Sequence, residues 1–117
     1  MSENVKRVDK PWGYELHWAK TDRYVGKVIH VDAGQALSLQ YHNHKDETIF
    51  LWSGRMKFEI KEDGELVARE MKVGESVHVT PGTVHRMTAI TDCDIFEVST
   101  PELDDVVRLE DRYGRQT

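Results

Sequence analysis

Two histidines one residue apart, His42 and His44, stand just before Glu47, and a fourth group, His85, follows a Pro81-Gly82 turn. In an extended strand, side chains at i and i+2 leave the same face about 6.5–7 Å apart, near enough to turn toward one ion. Neutral imidazole nitrogens and a carboxylate oxygen suit one borderline divalent cation: zinc, iron, manganese, nickel or cobalt. The set lacks a thiolate, which argues against a closed structural zinc site. Glu47 has the wrong strand parity for His44, so a tight bend or bulge is expected at Lys45-Asp46. His85 is far away in sequence and could close the group from another strand. Four protein ligands can leave a position open, where a metal polarises a carbonyl or activates water. His17, His30 and His78 have no partner at ligand spacing and read as ordinary histidines.

Strands must position these groups. Turn signals recur at short intervals: Thr21-Asp22, Asp32-Ala33-Gly34, Ser53-Gly54, Glu62-Asp63-Gly64, Gly74 and Pro81-Gly82, a spacing that suits many short strands. From Ala36 to His42 the two faces differ in chemistry. Leu37, Leu39 and Tyr41 lie on one, Ser38, Gln40 and His42 on the other, with His44 continuing the polar side by parity. Trp12, Tyr14, Leu16 and Trp18 alternate with Gly13, Glu15 and His17, predicting a strand with one apolar face. Such an aromatic stripe predicts a homodimer contact, with packing onto the chain's own sheet as the alternative. Met56, Phe58 and Ile60 lead through the Glu62-Asp63-Gly64 turn to Leu66–Met71, a predicted hairpin. Further strands are expected over 24–31, 37–42, 47–52, 76–79, 84–89 and 95–99. The charged tail Asp104–Tyr113 reads as helix or extended coil. Roughly eight or nine strands point to an all-β domain, a closed barrel or jelly roll, with a plain β-sandwich as the alternative.

The 117 residues suit one domain, 1–117. A net charge of -5 lacks the basic excess that neutralises phosphates, so nucleic acid is not an expected partner. The only cysteine, Cys93, permits no internal disulfide. No stretch approaches the ~18 apolar residues of a membrane span, and a cytoplasmic location with no membrane partner is expected.

Gly34 through Gly54, reading GQALSLQYHNHKDETIFLWSG, and Gly74 through His85, reading GESVHVTPGTVH, resemble the two motifs of the cupin family. That resemblance implies a cupin β-barrel, a double-stranded β-helix or jelly roll, with His42, His44, Glu47 and His85 as the ligands. The chain departs from the pattern in a shorter gap between His44 and Glu47, and in lacking the asparagine that comes after the last histidine. Lys10-Pro11-Trp12-Gly13, Leu37-Ser38-Leu39-Gln40, His85-Arg86-Met87 and the tail Asp104 to Arg115 resemble, more closely, the type II mannose-6-phosphate isomerase domain. In bifunctional enzymes that domain is C-terminal to a mannose-1-phosphate guanylyltransferase. The resemblance implies a sugar-phosphate isomerase that interconverts mannose 6-phosphate and fructose 6-phosphate, the metal meeting O1 and O2 as an enediolate develops. The proton-transfer residue is not implied. Gln40 becomes a candidate to meet metal or sugar, with an ordinary polar strand residue as the alternative; Arg86 is a candidate for phosphate or an outward, solvent-exposed side chain; and Arg108, Arg112 and Arg115 are candidates for a phosphate clamp, a solvated charged terminus or a dimer contact. A metal-dependent sugar or small-molecule binding protein without turnover is the alternative, and an epimerase or oxygenase a third possibility.

Overall fold

Period-2 alternation becomes strands nearly everywhere it was expected. The computed structural model describes residues 4–115, so the outermost residues of the expected 1–117 domain lie outside it. The strands are β1 (Lys6–Lys10), β2 (Gly13–Lys20), β3 (Val25–Val31), β4 (Leu39–Tyr41), β5 (Glu47–Ser53), β6 (Met56–Glu62), β7 (Glu65–Met71), β8 (Ser76–Val79), β9 (His85–Ala89), β10 (Cys93–Ser99) and β11 (Val107–Glu110). They form two antiparallel sheets, ordered β1-β2-β3-β10-β5-β8 and β11-β4-β9-β6-β7. Most chain segments that link the sheets carry one of the predicted turns or a longer loop, the exception being the three residues 90–92 between β9 and β10.

The two sheets meet face to face. Ile29, Val31, Ile49, Leu51 and Ile95 point inward from the larger sheet, and Met56, Phe58, Met87 and Ala89 from the smaller, forming one buried cluster with Trp12. Full burial of each large side chain stabilises the fold by about 1.5–3 kcal/mol. Further along the same inner face the residues become ionisable. The register pairs His17 with Lys27 on β3 and Lys27 with Glu97 on β10, so the apolar core gives way to a charged row between the sheets.

Two expectations change. The aromatic stripe is divided, because β1 pairs with β2 through a turn at Pro11-Trp12. Trp12 therefore drops into the core from the turn, 2% exposed. Trp18 is set aside by a bulge between His17 and Ala19 and its ring lies over Gly26. The tail holds no helix, but within its turns and coil lies a short strand: β11 pairs antiparallel with β4, Val107 opposite Tyr41 and Arg108 opposite Gln40. An edge strand needs only one apolar face and one hydrogen-bonded side, so its charges hide the period.

Candidate metal centre

β4 ends at Tyr41, and the course of the chain beyond it decides which histidines meet. The Asp105 carboxylate accepts hydrogen bonds from the backbone N–H groups of Asn43, His44 and Lys45 at 3.0, 2.6 and 2.9 Å. Three donors converging on one carboxylate curl the chain directly after His42, and they hold the Asp105 carboxyl down at about 2, below its ordinary value. The bend expected at Lys45-Asp46 thus begins two residues earlier. Strand alternation stops there. His42 keeps its inward direction, 3% exposed, whereas the His44 side chain is exposed.

His42, Glu47 and His85, all buried, each present a ligand atom within 4.8 Å of the others. His44, expected as a fourth ligand from its parity with His42, is not brought to them, because the i, i+2 rule fails once the backbone leaves the strand. Gln40 takes the other flank. It lies on the face of His42, directly across from His85 in the β4–β9 pairing, and accepts a 2.6 Å hydrogen bond from the Ser38 hydroxyl. Strand parity alone already placed Gln40 beside His42, and that was the signal for it.

Hydrogen bonding fixes both imidazoles. His42 Nδ1 donates to the Asp105 carbonyl at 2.6 Å, and His85 Nδ1 donates to the Thr83 carbonyl at 2.9 Å. In a neutral imidazole the other nitrogen, Nε2, then carries a lone pair. Those two Nε2 atoms face the same carboxylate oxygen, Glu47 Oε1, at 3.1 and 3.3 Å. Acceptors aimed at one another in a buried place require a proton or a cation between them. Glu47 Oε2 and His85 Nε2 have no hydrogen-bond partner among the described residues. Burial alone would raise the Glu47 pKa, but the adjacent His42 and His85 rings and the charge of Lys45 outweigh it, holding the carboxyl well below the usual range. The donor set, the orphaned atoms and the outer carbonyl partners all fit a divalent ion held by His42, Glu47 and His85.

Lys45 is the residue that sequence reasoning missed. It is 5% exposed, with Nζ 3.4 Å from Glu47 Oε2 and 3.2 Å from Glu97 Oε2. Burial disfavours its charge, but the two carboxylates more than compensate and raise its pKa. Burial and the proximity of Glu47 push Glu97 up to about 7, against the pull of Lys45 and Lys27. A lysine in a polar loop segment gives no sign of burial in a sequence.

Arg86 does not reach the site. It points to the other face of β9, where it forks onto Glu59 at 2.8 and 3.1 Å and also donates to Glu110 at 3.1 Å. Adjacent strand residues face opposite ways, so inward His85 sends Arg86 outward. Of the tail arginines, Arg108 and Arg115 line the same cavity as His42 and Glu47, and Arg112 donates to the Gly34 carbonyl at 2.7 Å. The remaining histidines pair with carboxylates away from the centre: His17 with Glu15 at 2.8 Å, His30 with Asp94 at 2.7 Å, His78 with Asp46 at 2.6 Å. His30, Asp32 and Asp92 also converge, but at the surface.

The cavity measures about 860 Å³ and is lined by Gln40, His42, Glu47, Trp12, Leu37 and Met87 among others. Seven lysine and arginine side chains line it against four carboxylates, in a chain of net charge -5. Its local balance therefore opposes that of the whole molecule and favours an anionic ligand.

A family model described as mannose-6-phosphate isomerase C-terminal matches residues 1–111. Mannose-1-phosphate guanylyltransferase of Escherichia coli K12 is 36% identical over 115 residues, 94% of this chain and 23% of that protein. The alginate biosynthesis protein AlgA of Pseudomonas fluorescens is 31% identical over 121 residues, 99% of this chain and 24% of that protein. The chain thus spans about a quarter of the length of these relatives. Among solved structures, KdgF from Halomonas sp. superposes with a TM-score of 0.71 at 19% identity, over 87% of this chain and 91% of that one. Oxalate decarboxylase from Bacillus subtilis gives 0.76 at 13% identity, over 91% of this chain and 30% of that one. At such identities the likeness carries the fold, which is all-β and of the cupin type.

Proposed function

The chain belongs to the mannose-6-phosphate isomerase C-terminal family, and on that premise we propose that it is a metal-dependent sugar-phosphate isomerase interconverting mannose 6-phosphate and fructose 6-phosphate. One observation carries the reading: two imidazoles, each committed through Nδ1 to a carbonyl, turn Nε2 onto one buried carboxylate that lines a cavity rich in cations. His42, Glu47 and His85 would hold a single zinc, manganese, iron, nickel or cobalt ion, with Gln40 adjacent to the ion or to the sugar. When bound, such an ion supplies Lewis-acid polarisation of the oxygens at C1 and C2.

The chain's own residues supply the rest. The Asp105 and Thr83 carbonyls hold the two rings in the tautomer that leaves Nε2 basic. Trp12, Leu37, Met87 and Val106 give the cavity an apolar wall that excludes water and strengthens the electrostatics inside. Arg108 and Arg115 are the phosphate candidates, since a guanidinium fork matches phosphate oxygens. Arg115 is preset, held by Asp111 through contacts of 3.0 Å from both Nε and Nη2.

Protein loaded with each divalent ion in turn and supplied with mannose 6-phosphate tests the proposal. Formation of fructose 6-phosphate, abolished in His42→Ala, is the expected result. Saturable binding of mannose 6-phosphate without turnover would make the chain a metal-dependent sugar-binding protein instead.

The proposal extends to a homodimer, but through a different face from the divided Trp12–Trp18 stripe. On the outer side of the larger sheet Phe50, Trp52 and Phe96 cluster, with ring centroids 5.6–6.5 Å apart. Trp52 is 59% and the neighbouring Val98 53% exposed, an apolar cluster of the kind that self-association covers.

A further inference from the structure

We propose that Lys27 is a positioning residue for the metal carboxylate Glu47, acting through Glu97 and Lys45. The inference rests on the reading of His42, Glu47 and His85 as a metal centre. It begins with strand register, which makes His17, Lys27 and Glu97 cross-strand neighbours on β2, β3 and β10. All three side chains share the inner face of the larger sheet. Lys27 Nζ stands 3.2 Å from Glu15 Oε1 and 3.7 Å from Glu97 Oε2. Lys45 Nζ stands 3.2 Å from that same Glu97 oxygen and 3.4 Å from Glu47 Oε2. Carboxylate and ammonium therefore alternate without a gap from Glu15 to Glu47.

Burial gives this chain of charges its stiffness. None of Glu15, Lys27, Glu97, Lys45 and Glu47 exceeds 7% exposure, so bulk solvent screens these pairs little. Removing one member of a buried pair leaves its neighbour uncompensated, a cost that forces rearrangement. Glu97 Oε2 accepts no aligned hydrogen bond and is balanced only by the two ammonium groups beside it. Without Lys27, the charge balance around Glu97 changes and the Lys45 ammonium it shares with Glu47 shifts. The Glu47 carboxylate, tied on its other side to His42 and His85, then turns relative to both imidazoles. Neither Glu97 nor Lys27 belongs to the group formed by His42, Glu47 and His85. Their influence on the centre passes through geometry.

The test measures affinity for Mn²⁺ and Zn²⁺ on the full chain, by competition with a chromophoric chelator, beside the melting temperature of the metal-free protein. Lys27→Met, of similar length without charge, should weaken affinity by about tenfold or more, the scale on which groups supporting metal ligands act. Lys27→Arg should recover most of that loss. Glu97→Gln should weaken affinity similarly, and Lys27→Met combined with Glu97→Gln should fall no further than the worse single variant, because the two act as one unit. A folded Lys27→Met chain that binds as tightly as the wild type, or that loses melting temperature alone, would overturn the inference. Should Lys27→Met fail to fold, unchanged affinity in Glu97→Gln would overturn it equally. Wild-type protein that binds neither ion would refute the metal centre itself, and the positioning role with it.

Discussion

Glu47 Oε1 lies 3.1 Å from His42 Nε2 and 3.3 Å from His85 Nε2, so each of these residues should matter to an ion and His44 should not. His42→Ala and His85→Ala are expected to lower divalent-ion affinity at least a hundredfold, and His44→Ala to leave it within about threefold, as read by elemental analysis after dialysis. Equal losses at His44 would contradict the geometry. Asp105 shapes the same turn by binding three backbone N–H groups. Its carboxyl, held at about 2 rather than 3.8, favours the folded chain at pH values above about 4, and that contribution disappears as pH falls through about 2. The stability gap between wild type and Asp105→Asn should therefore be constant above pH 4 and close toward pH 2 in acid unfolding curves. The convergence of His42, Glu47 and His85 was legible in the sequence because few residue types offer ligand atoms to a cation. The exposed placement of His44 outside that group was not legible, because alternation stops at the strand end and the carboxylate that curls the chain there is sixty or more residues away.

Two elements carry expectations of their own. On β9, Arg86 bridges Glu59 on β6 and Glu110 on β11, tying three strands of the smaller sheet on the side away from the cavity. Arg86→Ala should cost about 1 kcal/mol by denaturant titration and leave metal affinity unchanged; a loss of affinity would return Arg86 to the site. Between β5 and β6, Gly54 has φ of +92° and a Cβ there would strike the Asp92 carbonyl oxygen. Gly54→Ala should destabilise the fold by about 2 kcal/mol or more, measured the same way. Hairpin β6–β7 was readable because its apolar positions alternate around an Asp-Gly turn. β1 and β11 were not, because an edge strand rich in charge has no pattern of its own and becomes a strand only when its neighbour supplies hydrogen bonds. β11 also brings Tyr113, whose hydroxyl donates to Gln35 Oε1 at 2.6 Å, and through Asp105 it orients His42. A tail read as a charged terminus thus holds the centre in place.

For the whole molecule, the two sheets put an apolar core and a charged cavity in one interior, with His42, Glu47 and His85 where they meet. An aromatic cluster remains on the outer face. Light scattering should give twice the 13.6 kDa chain mass, and Trp52→Glu should halve it; a monomeric wild type would remove the dimer from the proposal without touching the centre. Fold class came from the number of turns and alternating runs, whereas the charged row between the sheets depends on register across three strands, which no local pattern encodes. The central claim is that His42, Glu47 and His85 hold one divalent ion. Anomalous diffraction from crystals grown with Mn²⁺ or Zn²⁺ tests it most directly. The expected map has one dominant peak about 2.0–2.2 Å from His42 Nε2, His85 Nε2 and a Glu47 oxygen. A dominant peak at His30, Asp32 and Asp92, or none beside an unchanged His42–Glu47–His85 contact, would contradict it.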